Sequence, residues 1–332
     1  MEERKTISWS EIKTWSTCRQ KWYWNYVIGI VPKKQERLPS IGSCGHEAIK
    51  AILLGEDWEQ AIQIWYEQEI NKRKLFDEEK EYFAEIASTT HQIVRRYLEH
   101  YQDTWTPIAV EEKFSIPIQG THVRLIGYWD AIVKDKDGYL WLLEHKFPKS
   151  FRKEEDLELD GQIGIYQFAA FREGYPVVGT VYNQLLSKLP ALPKINKDGS
   201  VSKARIYTDW QTYRDFLIEH GQNPQEYLDM KDKLKDFQFF QRNYIYRSKT
   251  EVRLFQQDIL RKIWEILKTK KHIYRCESFI NCNGCNYKEL CVELVKGGDV
   301  YNLIEHNYEP KRSRIEVVEE EEEFKQEKES DF

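Results

Sequence analysis

No apolar run in the 332-residue chain approaches 18 residues, which excludes a membrane-crossing helix. The first ten residues, MEERKTISWS, lack the apolar stretch of a secretion signal, so the expected compartment is the cytoplasm. Glycine (16) and proline (10) are too few for a collagen-like chain. There is no internal repeat, so the chain is not an array of stacked units. Six cysteines are too few for a disulfide scaffold of this length. Without a secretion signal they point to a reducing compartment, where clustered thiols more often bind metal. At 41% hydrophobic and 32% charged residues the composition is that of a folded protein, not of a chain disordered throughout.

The net charge of −5 conceals an asymmetry. Residues 316–332 hold nine acidic and two basic residues, a charge of −7. Residues 1–315 therefore carry 48 basic and 46 acidic residues, or +2, and a basic face for a nucleic acid remains possible. Aromatics are abundant, with 11 Trp, 20 Tyr and 15 Phe. Most belong to a core, but aromatic rings also serve as platforms for unstacked bases.

Periodicity orders the chain. Ser8 and Glu11 form a capping-box pattern that opens a helix carrying Ile12, Trp15, Trp22 and Tyr26, with Cys18 inside it. Helices are expected at 41–54, 58–73 and 78–101. The period then changes to two. Alternation predicts one strand over 108–118 and a second over 123–133, a turn at 134–138 and a third strand over 139–146. The third is apolar on both faces, as a central strand covered by helices would be. A helix at 160–172 and a strand at 177–186 follow. A basic loop or hairpin spans 189–205, and helices are expected at 210–220, 224–234 and 251–271. The acidic stretch 316–332 is low in complexity and expected to be disordered.

The third strand ends in Glu144-His145-Lys146. Residues two apart on a strand share a face, so Leu140, Leu142, Glu144 and Lys146 point the same way. Asp130, fourteen residues before Glu144, lies on the partner strand of the hairpin and can stand beside it. Two carboxylates ~4 Å apart repel by about 4 kcal/mol at an effective dielectric near 20. A hard cation such as Mg²⁺ or Mn²⁺ would hold both ionised, acidify a water and offset charge on a phosphorus centre. Lys146 would orient or activate that water and stabilise the developing negative charge. The same residues also suit a plain ion pair at a sheet edge.

G-Y-W-D at 127–130 followed by E-H-K at 144–146 resembles the core of the PD-(D/E)XK nuclease superfamily. I-G-S-C-G-H-E-A at 41–48 and the Q-x-x-x-Y of Gln162 and Tyr166 narrow the resemblance to the RecB/AddB-like branch, with CRISPR-associated RecB-like and phage exonucleases. The likeness spans roughly 6–295. It implies a restriction-endonuclease-like α/β core with a mixed central sheet flanked by helices (about 105–187), with helical N- and C-terminal additions, in one domain over 1–315. It implies that His46, Asp130, Glu144 and the carbonyl of His145 bind the metal and that Lys146 is the catalytic lysine. Gln162 and Tyr166 would support the site or touch the DNA backbone; being four apart, they share one helix face. Trp129 stands before Asp130 where the superfamily often has proline.

Cys282, Cys285 and Cys291 form a C-x2-C-x5-C, and Gly284 permits the turn that the first pair needs. Soft thiolates suit zinc or iron–sulfur, and spacing alone does not choose. The resemblance implies that Cys18 joins the three to hold a 4Fe–4S cluster, tying a lobe at about 272–295 to the start of the chain, with zinc as the alternative. Such a link removes loop-closure entropy from the unfolded chain. Cys276 is a further candidate fourth ligand, and Cys44 reads as a small core residue. Mixed cations and aromatics at 239–249, and the cations of 194–205, are candidate DNA contacts. The expected function is metal-dependent DNA hydrolysis by an exonuclease in recombination, repair or replication. A phage or mobile-element setting, in the host cytoplasm, is compatible with the resemblance. The alternatives are a catalytically silent DNA-binding or scaffolding subunit and a CRISPR adaptation nuclease. The tail would repel DNA, dock on a basic groove or engage a recombination or replication protein.

Overall fold

A computed structural model describes residues 6–33, 40–71, 77–269 and 273–311; the acidic stretch 316–332 lies outside them. The chain divides into two compact units interleaved in sequence. One contains Met1–Leu38, Pro117–Ile126 and Gln257–Phe332; the other contains Pro39–Ile116 and Gly127–Gln256. Where the sequence alone suggests one domain over 1–315, the core of 105–187 falls in the second unit apart from 117–126. Cys18 and the C-terminal cysteines fall in the first.

The first unit opens with β1 (Thr6–Ser8) and α1 (Trp9–Thr17). The Ser8 hydroxyl caps α1 by accepting from the Glu11 N–H. The reciprocal half of the capping box is replaced: the Glu11 carboxylate accepts from Trp22 Nε1 at 2.9 Å. The helix stops at Cys18, which is extended (φ −159°, ψ 117°). Cys18 therefore sits at a break rather than inside a helix. After it come α2 (Arg19–Trp22), a π-helical turn (Tyr23–Ile28) and β2 (Ile30–Pro32).

The second unit begins with α3 (Ile41–Leu54), α4 (Trp58–Asn71) and α5 (Asp77–Tyr101). Ser40 and Ser43 cap α3 reciprocally, and Gly55 ends it in the left-handed region. The three helices bury Cys44, Ala48, Ile62, Trp65, Phe83 and Val94 in one cluster. Each large apolar side chain so buried contributes about 1.5–3 kcal/mol.

Both alternating stretches turn out to be broken. The first is β3 (Thr106–Val110) and β4 (Lys113–Pro117), interrupted at Glu111-Glu112; the second is β5 (Arg124–Tyr128) and β6 (Ala131–Lys134), interrupted at Trp129-Asp130. The two interruptions are bonded to each other. The Glu111 N–H donates to the Asp130 carbonyl and the Trp129 N–H to the Glu112 carbonyl, both at 3.1 Å. β5 pairs in parallel with β1, whereas β6 pairs with β7 (Leu140–Lys146), so the chain changes partners at Asp130. An interruption two residues long preserves the period-two phase, which is why alternation alone read straight through it.

After β7 come α6 (Glu154–Glu158), α7 (Gly161–Arg172), β8 (Val177–Leu185), α8 (Trp210–Glu219), a 3₁₀ turn (Pro224–Tyr227), α9 (Leu228–Leu234), β9 (Phe240–Tyr246) and α10 (Lys249–Lys268). The first unit closes with α11 (Phe279–Cys282), α12 (Lys288–Lys296), α13 (Val300–Asn307) and β10 (Tyr308–Pro310), which pairs antiparallel with β2. The central sheet of the second unit has the order β3-β6-β7-β8-β9. Only β7 and β8 are parallel, so the sheet is mixed, as expected. One face packs Leu157 and Ile163 against Tyr182 and Ile245. The other packs Leu53 and Trp105 against Trp141, Leu143 and Val181. β7 is thus central and covered on both sides. Among the described residues, no helix is long and apolar enough to cross a membrane.

Candidate active site

The site forms where β7 ends. Glu144 pairs with Tyr182 and Lys146 with Gln184 across the parallel register. Glu144 and Lys146 lie on the α7 face of the sheet, and His145 lies on the other. The Lys146 ammonium donates to Glu144 Oε1. Gln162 Nε2 donates to the same oxygen at 2.8 Å. Asp160 caps α7 by accepting from the Gln162 N–H, and Arg152 holds the Asp160 carboxylate. Tyr166, one turn on from Gln162, lines a small cavity with Glu144 and sets its ring edge-on to Phe114.

Asp130 arrives from the β5–β6 break. Its Oδ2 accepts the His145 N–H at 2.8 Å and lies 3.7 Å from His46 Nδ1. Two glycines make these approaches possible. A Cβ on Gly45 would stand 2.2 Å from Phe147 Cζ, and one on Gly127 would stand 2.4 Å from Phe114 Cζ. Gly45 therefore lets α3 settle over the end of β7, bringing His46 to Asp130. Gly127 admits the ring that packs on Trp129.

A further acid stands here that sequence reading did not single out. Ligand atoms of His46, Glu111 and Asp130 lie within 4.8 Å of one another. Glu111 is in the left-handed region (φ +50°), a conformation that costs a non-glycine residue roughly 1–2 kcal/mol. Its signal in the sequence was an acidic pair interrupting an otherwise alternating strand.

Burial and the crowding of charges shift the titration of these side chains. Burial pushes the Glu144 carboxyl up to about 7, and Asp130 adds to the rise; Lys146 and His46 oppose it only in part. Burial would lower Lys146, but Glu144 and Asp130 outweigh it and hold the ammonium above its usual range. The shifts share a direction because the amine faces two carboxylates, while for Glu144 burial and the like charge of Asp130 outweigh Lys146 and His46. Burial above all, with the nearby His46, Arg242 and Lys146, keeps the His145 ring well below its usual range.

In the first unit, Cys18, Cys276, Cys282, Cys285 and Cys291 line one cavity of about 290 Å³. Gly284 makes the expected turn (φ +70°), with the Cys285 N–H on the Cys282 carbonyl. Burial raises the Cys291 thiol to about 11, and Cys285, Cys18 and Cys282 add to the rise. The Cys276 N–H donates to Cys18 Sγ at 3.5 Å. Among the described residues, no three of these sulfur atoms lie within 4.8 Å of one another. Cys44 is buried in the helical core of the other unit, as expected.

The candidate DNA contacts are mostly committed elsewhere. Arg242 is buried, 7% exposed, and pairs with Asp103. Arg247 donates to the carbonyls of Leu157, Glu158 and Asp160 that end α6. Tyr244 and Tyr246 pack against Trp141, on the face opposite Glu144. In the basic loop Lys203 pairs with Asp229 and Arg205 with Asp236; Lys194 and Lys197 are exposed. Mixed charge and aromaticity at 239–249 marks an edge strand, not an open groove.

Residues 6–292 match the family model of the PD-(D/E)XK nuclease superfamily, and the chain belongs to that superfamily. Among solved structures, one described as "Crystal structure of SSO0001" is similar at 11% identity, covering 88% of this chain and 87% of that one, with a TM-score of 0.36. No curated protein matches the chain.

Proposed function

We propose that the chain is a metal-dependent deoxyribonuclease of the RecB/AddB-like branch, an exonuclease that hydrolyses phosphodiester bonds from DNA ends in recombination, repair or replication. The observation that carries this reading is the meeting of His46 and Asp130 with Glu144 and Lys146 at the end of β7. His46, Asp130, Glu144 and the His145 carbonyl would hold Mg²⁺ or Mn²⁺, with Glu111 as an added oxygen donor; this hard donor set suits either ion. When bound, the ion supplies Lewis-acid polarisation of a phosphate oxygen and a more acidic water. Lys146, beside Glu144, would orient or activate the attacking water and stabilise the negative charge that grows on the phosphate oxygen. Gln162 holds Glu144 in place. Water oxygen attacks phosphorus, the bond to the leaving nucleotide oxygen breaks, and that oxygen takes up a proton.

Cys18, Cys282, Cys285 and Cys291 would hold a 4Fe–4S cluster. Four thiolates around a tetrahedral zinc stand about 3.8 Å apart, given Zn–S distances near 2.3 Å. The four thiols line one cavity of about 290 Å³, room enough for the larger group. A brown anaerobic preparation is expected; a colourless protein with one stoichiometric zinc would overturn this part.

The test of the activity is nucleotide release from end-labelled linear and circular DNA, single- and double-stranded, with and without Mn²⁺. Wild type should release nucleotides from linear substrate only with metal, and Lys146→Ala should be slower by about 10²–10³-fold. Equal release by both proteins would sink the reading. Tight DNA binding with no release by wild type would point to a catalytically silent subunit.

A further inference from the structure

Behind the metal site, on the opposite face of the sheet, lies a buried polar chain that the reaction itself does not use. Asn183 Nδ2 stands 3.2 Å from His145 Nε2. Arg242 Nε donates to Asn183 Oδ1 at 2.6 Å. The two terminal nitrogens of Arg242 donate to the two oxygens of Asp103 at 2.8 and 2.6 Å, and one also donates to the Tyr97 hydroxyl at 2.9 Å. The guanidinium stacks 3.8 Å over the Tyr101 ring. His145 is 2% exposed and Asn183 is 1% exposed, so water does not compete for the bond between them, whereas Asp103 at the far end is exposed.

The chain of bonds has one direction. A guanidinium can only donate, so the Asn183 carbonyl oxygen must face Arg242 and its amide nitrogen must face the imidazole. His145 Nε2 then accepts, and the ring proton sits on Nδ1. Asp103, fixed in a two-pronged pair, sets Arg242; Arg242 sets Asn183; Asn183 sets the imidazole. The imidazole belongs to the residue between Glu144 and Lys146, and its own N–H donates to Asp130. A rotation of β7 about its axis would move the ring, both charged neighbours and the bond to Asp130 together. One bond behind the sheet therefore restrains several groups in front of it.

We propose that Asn183, held by Arg242, is a positioning residue for the 144–146 peptide, fixing the orientation of the metal site from the opposite face of the sheet. This rests on the metal-site reading above and deepens it. Partners that orient metal ligands typically matter by about 10–100-fold in metal affinity.

The test is calorimetric Mn²⁺ binding by the full chain, alongside nuclease kinetics and thermal unfolding. Asn183→Ala should weaken Mn²⁺ binding by about 10-fold or more and lower kcat, with KM for DNA unchanged. Arg242→Lys, which keeps a cation for Asp103 but loses the fork, should fall between the two. If Asn183→Ala does not fold, Asn183→Leu serves: it fills the same space and removes both the acceptor for Arg242 and the donor to His145, and it should show the same loss of affinity. A folded Asn183 variant that binds Mn²⁺ within twofold of wild type would overturn the proposal. The nuclease reading fails separately, if wild type binds Mn²⁺ but never cleaves DNA, and the affinities would still decide the role of Asn183. A wild type that binds no Mn²⁺ overturns both.

Discussion

The oxygen and imidazole donors of the second unit and the thiols of the first differ in how the chain gathers them. His46, Glu111, Asp130 and Glu144 converge through sheet register, two glycine-permitted approaches and a hydrogen bond from the strand backbone. Three of them already lie within 4.8 Å of one another. The thiols come from Cys18 and from 282–291, sit further apart, and have a cavity between them. The first set is shaped by packing, which sets the Lys146 ammonium beside the Glu144 and Asp130 carboxylates. The second is shaped less completely and gains most from a bound group that closes it. In one, a ligand would relieve charge; in the other, it would tie the chain.

This contrast is open to test. The largest expected effect is on stability. If the proposed 4Fe–4S cluster is bound, Cys18→Ser should lose its visible absorbance and lower unfolding free energy by up to about 5 kcal/mol, the closure entropy of a loop of this length. Mn²⁺ affinity at the acid site should stay unchanged. Chemical unfolding with parallel Mn²⁺ calorimetry checks both; a fall in Mn²⁺ affinity as large as the loss of stability would erase the distinction.

Glu111→Gln should do the reverse at smaller scale. It should weaken Mn²⁺ binding by about 10-fold while leaving iron content and unfolding midpoint close to wild type. Unchanged affinity would remove Glu111 from the donor set.

The smallest effect expected is a pH dependence of the metal-free protein. Glu144 titrates in the folded state at about 7, above its unfolded value, so the folded state prefers the protonated carboxyl. That stabilisation is complete below the ordinary carboxylate range and is lost as pH rises through about 7. The melting temperature without metal should fall across this window, and Mn²⁺ affinity should rise, because the ion displaces the proton. Glu144→Gln should flatten both trends. Their persistence in that variant would assign them to another group.

Much of the site was legible before any coordinates. The strand ending at Lys146 announced itself by apolar residues on both faces, and the helix expected at 41–54 is α3, Ile41–Leu54. What escaped notice did so for physical reasons. A two-residue interruption leaves alternation in phase, so β3–β4 and β5–β6 each read as one strand and Glu111 went unnoticed. Of its apolar residues β9 buries only Ile245, so it has no apolar face to betray it. Arg242 and Arg247 looked like groove cations because composition does not distinguish a solvated arginine from one paired inside the protein. The break at Cys18 depends on partners near the other end of the chain, which local periodicity does not see.

The bonded interruptions at Glu111 and Asp130 also constrain how this part of the gene can drift. β3 and β4 pair in different sheets, so the two residues between Val110 and Lys113 form the step from one sheet to the other. Any codon gained or lost there would break the bonds from Glu111 to the Asp130 carbonyl and from Trp129 to the Glu112 carbonyl. Indels at this step should therefore be selected against whatever their length.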